Sequence, residues 1–383
     1  DVCSSEFTAP PKEIRHKMLT GRLCRDDFIT NDDVSNICRA YWKRTSELDS
    51  NPIQSLCKWM TKLESSDQYS VFRAQNGELV LSLKDYKSVS VGFTSPWQLS
   101  KLRLSAEAVG LDSPHKVSTG GYELYTIIIH DPLTMRGVPV AFMLTNDQSA
   151  RPLELWLSEM NKLAGPFKHI TTDDSRVEFR AIQDAFEGSV KIHLCLWHVA
   201  RAWSQKIRQI VRVADKEETL KMQEQARNSL HDIMYESEMR QANLLIVEFR
   251  QEWSTRFPEF ADYIEDNYIG SEERRKKWMK AYRTGTFYAA MDTNNFVESW
   301  HNTLKNTFLG KHYKLRPDRV VYLLSQVVIS YFEKEELQTQ VQVGRLTRGQ
   351  IADILRQREV RSMDDEIIQR HAIRLDGKYC VKS

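Results

Sequence analysis

The chain is poor in cysteine for its length, and no two cysteines stand in C-x-x-C spacing. The six, Cys3, Cys24, Cys38, Cys57, Cys195 and Cys380, lie at gaps that suggest no disulfide framework. That fits a reducing compartment in which most of the thiols are simply buried. Long apolar runs are also missing. The longest, VVYLLSQVVISYF, is too short and too interrupted to span a bilayer, so no membrane partner is expected. The opening residues DVCSSEFTAPP do not have the shape of a signal peptide, and the chain is expected to be a piece of a longer protein. No internal repeat and no low-complexity segment is visible. Net charge is nearly absent too: 54 Lys and Arg against 52 Asp and Glu leave +2, so composition alone announces no nucleic-acid binder. What remains is an ordinary globular composition, 41% hydrophobic and 28% charged. At 383 residues the chain can hold two or three domains.

The charges are unevenly placed. Between Glu187 and Asp215 stand five Lys or Arg and no acid; between Glu273 and Tyr282, five and none; between Glu298 and Asp318, four and none. Any one such run reads as a solvated helix face. Three of them beside one candidate site favour a surface for a polyanion.

Six segments follow from the periodicity. Residues 1–67 read as an N-terminal helical module, PPKEIRHKMLTGRL, ITNDDVSNICRAYWKR and NPIQSLCKWMTKL. It is either a DNA-binding helix-turn-helix or a helical packing module. Residues 68–104 carry Asn76-Gly77 between two alternating runs, a hairpin signal, and then a linker helix. Residues 105–204 alternate as three strands, helix, strand, helix, strand, which is the order of an RNase H-like α/β core. Residues 205–290 are helical and read as an insertion into that core. Residues 291–335 resume it with the helix NNFVESWHNTLK, and 336–383 are C-terminal helices and a strand-like tail.

Three carboxylates fall where such a core would gather them. Asp112 ends the apolar run AVGL, and Asp173 ends HITT. Asp174 is adjacent, would point the other way on a continuing strand, and stays as the alternative. On NNFVESWHNTLKNTFL, Phe296, Trp300, Leu304 and Phe308 form an apolar stripe. Glu298 lies off it, on a face with His301, Asn302 and Lys305. Each acid alone reads as a surface group or cap. Together they fit phosphoryl transfer with two Mg²⁺ or Mn²⁺ ions, for which carboxylates from separate elements hold the ions about 4 Å apart. Asp112, Asp173 and Glu298 are thus the expected catalytic and metal-binding residues. The basic residues expected to touch phosphates are Arg201, Lys206, Arg208, Lys305, Lys311, Lys314 and Arg316.

Cys195 and His198 stand in C-x-x-H spacing where the run VKIHLCL meets a helix. One such pair is half a zinc site at most, and no second pair is near. Cys195 is expected in a buried strand. His198 is a supporting candidate, to contact a phosphate or orient an active-site group, with a satisfied structural histidine as the alternative. Trp197 and Trp203 read as packing residues.

The ordered set LDSPHKV, GGYELYTI, VPVAFML, TTDD, LCLWHV and NNFVESWH resembles the catalytic domain of the Mutator-like element (MULE) DDE transposases, over roughly residues 50–330. The resemblance implies that Asp112, Asp173 and Glu298 are the DDE triad and that Cys195 and His198 are the family's C-x-x-H signature. It implies a nuclear enzyme, a homodimer or higher oligomer on DNA, that binds transposon terminal inverted repeats. Such an enzyme cleaves at the element ends and joins the 3′-OH to target DNA. The chain departs from the pattern at its end: YCVKS does not supply the CxC…CxH ligands of the zinc finger that often follows this domain. Two other readings stand beside it. A domesticated transposase acting as a DNA-binding transcription regulator commonly loses a triad member, and this chain keeps all three. A structural nuclease for junctions or hybrids fits the fold order but not the C-x-x-H and the insertion.

Overall fold

The structure is a computed structural model. It describes residues 30–65, 67–83, 88–113, 117–283, 295–309, 314–341, 343, 348–361, 372–375 and 378–381. The expected first helix at residues 10–23, Lys311, and the capping candidates at 293–294 lie outside the described residues. The chain divides into two units. The first comprises Asp1–Asp131, Arg136–Ile192 and Asn294–Gln338; the second comprises Pro132–Met135, His193–Thr293 and Thr339–Ser383.

The chain forms a mixed sheet of eight strands, the first seven in the first unit and the eighth running from it into the second: β1 (Ser70–Gln75), β2 (Glu78–Leu79), β3 (Val89–Thr94), β4 (Ala108–Asp112), β5 (Glu123–Asp131), β6 (Arg136–Thr145), β7 (His169–Thr172) and β8 (Lys191–Leu194). Their order across the sheet is β2-β1-β3-β6-β5-β4-β7-β8. β4, β5 and β6 pair antiparallel in sequence order, and β7 then lies parallel to β4. β4 and β5 are apolar without alternation because both faces are covered: every residue of β4 is buried, as are seven of the nine in β5.

The hairpin expected at Asn76-Gly77 is present, β1 pairing antiparallel with β2 across that turn, and it belongs to the large sheet. β3 is buried at every position and pairs antiparallel with β6, so β1–β3 extend the same sheet. Helix α4 (Ala150–Ala164) lays Trp156 over β3, where Gly92 leaves room: a Cβ there would stand 2.9 Å from the indole nitrogen. The helices before the sheet, α1 (Asn31–Ser46) and α2 (Pro52–Ser65), also have no core of their own. Ile53, Leu56, Trp59, Met60 and Leu63 of α2 join the cluster formed by the sheet. α3 (Pro96–Ser105) begins with a reciprocal cap, Ser95 with Gln98, and Pro96 in the first turn. α5 (Arg176–Phe186) is capped by the Ser175 hydroxyl.

The second unit is helical: α6 (Leu196–Ile210), α7 (Lys216–Tyr235), α8 (Met239–Arg256), α9 (Pro258–Ile264) and the short α10 (Glu272–Lys276). Its centre is aromatic. Trp203 meets Trp278 and Tyr268 edge-on at 5.1 and 5.4 Å, and Trp253 meets Phe260 at 5.5 Å. The buried Trp278 indole donates to the Tyr268 carbonyl at 3.0 Å, so its polar atom is satisfied.

The chain resumes in the first unit with α11 (Asn295–Thr303), which runs on through a π-helical turn at Leu304–Leu309. The stripe of Trp300, Leu304 and Phe308 is buried, as its spacing predicts. A strict spacing of four outruns the 3.6-residue α-helical turn, and the wider π turn keeps Phe308 on the core side. α12 (Pro317–Tyr322) and α13 (Ile329–Gln340) follow through a second π turn at Leu323–Val328. α14 (Arg348–Arg361) and the hairpin of β9 (Ala372–Leu375) and β10 (Lys378–Val381) end the described chain. Among the described residues no helix is long and apolar enough to cross a membrane.

Candidate active site

Two strand ends define the site. Asp112 is the last residue of β4, and Thr172 is the last of β7. The strands are parallel, with Ala108 opposite His169 and Gly110 opposite Thr171. Extending that register by two residues sets Asp112 level with Asp173 and on the same face, because side chains alternate along a strand. Asp173 is half-buried and Asp174 exposed, which favours Asp173 as the inward-facing acid. Asp112 is 2% exposed, and its Oδ1 accepts the main-chain N–H of Ser113 at 2.7 Å.

The other oxygen of Asp112 meets α11. His301 Nε2 stands 3.2 Å from Asp112 Oδ2. The start of α11 is seated on the β5–β6 hairpin: the Phe296 ring packs on His130 at 4.3 Å between centroids. Its carbonyl and Cβ lie so close to Gly137 that no side chain would fit there. Glu298 lies in α11 three positions before His301, and its side chain is outside the described residues.

A third acid joins from α5. Glu178 is buried on the helix stripe with Ala181, Ile182 and Phe186, and Thr172 donates its hydroxyl to the Glu178 carboxyl. Burial pushes the Glu178 carboxyl up to about 8; the Thr172 bond works against that, and the nearby charges of Asp173 and Asp112 add to it. Asp112 and Asp173 are hard-oxygen donors that a divalent cation would relieve of their mutual repulsion, with the Glu178 carboxyl buried behind them. The residues present therefore fit the metal chemistry expected of them.

Reading from the sequence missed two members of this group. His301 entered only as a companion of Glu298 on one face. Glu178 carried a signal that was visible, an acid at a stripe position of an amphipathic helix.

Cys195 and His198 belong to the second unit, and the structure corrects the placement of Cys195. The strand stops at Leu194, and Cys195 is the N-cap of α6, its buried Sγ accepting the main-chain N–H of His198 at 3.4 Å. The C-x-x-H spacing is thus the spacing of a cap to the third helical residue. Trp203 packs in the core, whereas Trp197 is 36% exposed, with the Arg201 guanidinium 5.1 Å from its ring centre and the His198 ring edge-on at 4.7 Å. Of the basic residues, Arg201 and Arg208 are exposed, Lys206 lies over the Tyr263 ring, Lys305 is half-buried and Lys314 exposed. Arg316 is committed internally. Its guanidinium pairs with Asp318 and Glu47 and donates to the carbonyls of Asp49 and Ser50, tying the turn after α1 to the start of α12.

No family model and no curated protein matches the chain. Among solved structures it is similar to the Drosophila P element transposase strand transfer complex, at 9% identity and a TM-score of 0.37, over 84% of this chain and 96% of that one.

Proposed function

We propose that the chain is the catalytic part of a Mutator-like DDE transposase, an RNase H-like core with a helical insertion at 205–290. It would act in the nucleus as a homodimer or higher oligomer on transposon terminal inverted repeats. Asp112, Asp173 and Glu298 are its acids. The observation that carries this reading is the pair of acids at the ends of the adjacent parallel strands β4 and β7, with α11 reaching Asp112 through His301.

Asp112, Asp173 and Glu298 would hold Mg²⁺ or Mn²⁺, two ions in this reading, which when bound lower the cost of negative charge on the reacting phosphate. The chain's own residues align the strand. Asp112 is held by the Ser113 amide and stands 3.2 Å from His301 Nε2, so its carboxylate is oriented before DNA arrives. In the first reaction a water oxygen bonds to phosphorus and the 3′ oxygen of the element end leaves. In the second that 3′ oxygen bonds to a target phosphorus and the target's own 3′ oxygen leaves. Arg201, Lys206, Arg208, Lys305, Lys311 and Lys314 supply phosphate contacts, and His198 with Cys195 supports them. Arg316, bound within the protein, drops out of that set.

The test is cleavage of DNA carrying the element's ends. Wild type should cut and join in Mg²⁺ or Mn²⁺, and Glu298→Gln, Asp112→Asn and Asp173→Asn should bind that DNA without cutting it. Cutting that persists in chelator, or in Glu298→Gln, would overturn the assignment.

A further inference from the structure

Glu178 does not do what its sequence setting suggests. Ser175-x-x-Glu178 has the spacing of a capping box, in which the glutamate side chain returns to the N-cap amide. Half of that box is present: the Ser175 hydroxyl accepts the Glu178 N–H at 3.4 Å. The glutamate half is not used. The carboxyl turns inward instead, where it accepts the Thr172 hydroxyl beside the backbone of Asp173. Thr172 is fully buried and Glu178 is 4% exposed, so both groups lie inside the protein behind the end of β7. An apolar residue at this stripe position would complete the helix face without the expense of burying an acid.

We propose that Glu178 is a positioning residue for the acid pair: by holding the Thr172 hydroxyl, it fixes the end of β7 and so the direction in which the Asp173 carboxylate stands. The inference rests on the reading of Asp112 and Asp173 as cation ligands and adds a residue to it. β7 is only four residues long and its pairing with β4 ends at Thr171, so the bond from Thr172 to Glu178 ties the end of the strand to α5 just before Asp173.

Mn²⁺ binding, read by electron paramagnetic resonance on the full chain without DNA, separates positioning from packing. Glu178→Gln keeps an acceptor for the Thr172 hydroxyl and should bind Mn²⁺ as wild type does. Glu178→Met and Thr172→Val remove the bond but keep the volume, and should weaken Mn²⁺ binding by about tenfold or more, the usual effect of losing a partner behind a ligand. Affinity is read well below each variant's melting transition, so a change in stability does not decide the result. Wild-type affinity in both Glu178→Met and Thr172→Val overturns the proposal and leaves the metal reading standing. A loss in Glu178→Gln equal to that in Glu178→Met also overturns it, since the carboxyl would then act through its charge. Failure of the wild type to bind Mn²⁺, or unchanged binding in Asp173→Asn, overturns the metal reading and this proposal with it.

Discussion

His301 and Asp112 meet at 3.2 Å, imidazole Nε2 to carboxylate Oδ2, one from α11 and the other from the end of β4. Nothing local in the chain joins them. The contact exists because Trp300 and Leu304 bury the stripe of α11 in the core of the first unit, which turns His301 toward the strand ends. It marks which part of the sheet α11 serves.

His301→Ala removes that contact without disturbing the stripe. DNA cleavage should fall by about ten- to a hundredfold, as for the loss of a group that orients a ligand. DNA binding should be nearly unchanged. Combined with Asp112→Asn, it should cost little beyond Asp112→Asn alone, because residues that act as a unit are not additive. Single-turnover cleavage of the four proteins measures this. Full activity per folded molecule, with a lowered melting temperature, would make His301 a packing residue.

Glu178 gives the metal-free protein a defined pH response. Its carboxyl is raised from 4.5 to about 8 in the folded state, so between those values the native protein binds more protons than the unfolded chain. Stability is therefore fully present below the unfolded value and lost as pH rises through that window, by at most about 1.4 kcal/mol per pH unit for one proton. Denaturant melts in chelator across pH 4.5–8 should show the decline. Glu178→Gln should flatten it, and an unchanged slope in that variant would assign the effect to other groups.

Much of this was legible in the sequence, and the failures have physical causes. The strands that end at Asp112 and just before Asp173 could be read because apolar runs stop there, and the α11 stripe because its spacing is helical. Cys195 was misplaced because KIHLCL stays apolar past the strand end: residues 194–196 remain buried while the backbone turns from strand to cap. Glu178 was hidden behind an ordinary capping spacing. Arg316 looked like one member of a basic run because Glu47, one of its partners, lies far away in the chain. His301 could be placed on the face of Glu298 but not against Asp112, since spacing within a helix says nothing about what faces it.

The cap at Cys195 makes a prediction opposite to that for a buried strand. A serine hydroxyl is a better N-cap acceptor than a thiol, and the His198 amide supplies its donor. Cys195→Ser should therefore leave stability nearly unchanged despite complete burial. Cys195→Ala should cost about 1 kcal/mol, the usual loss for an N-cap. Thermal melts of the two variants decide between cap and strand: a strand position would make the serine the worse substitution, through its buried hydroxyl.

Gly137 tests the seat of α11 without touching any acid. It lies in β6, where a Cβ would stand 2.5 Å from the Phe296 carbonyl oxygen and 2.8 Å from the Phe296 Cβ. Both atoms belong to the first turn of α11 or are fixed to it, so neither can swing aside as the end of a long side chain would. Gly137→Ala must then push the start of the helix off the β5–β6 hairpin, and Glu298 and His301 ride on that helix. Because the acids themselves are untouched, binding of DNA through the basic residues should persist. Cleavage should fall by about a hundredfold, since a displacement of about 1 Å costs on that order. Restoring glycine-like room from the other side is not possible with Phe296→Ala, because the carbonyl stays; that variant should fail to rescue Gly137→Ala. Normal cleavage by Gly137→Ala would mean that the start of α11 can move without carrying the catalytic face with it, and the third carboxylate would have to be sought on another element.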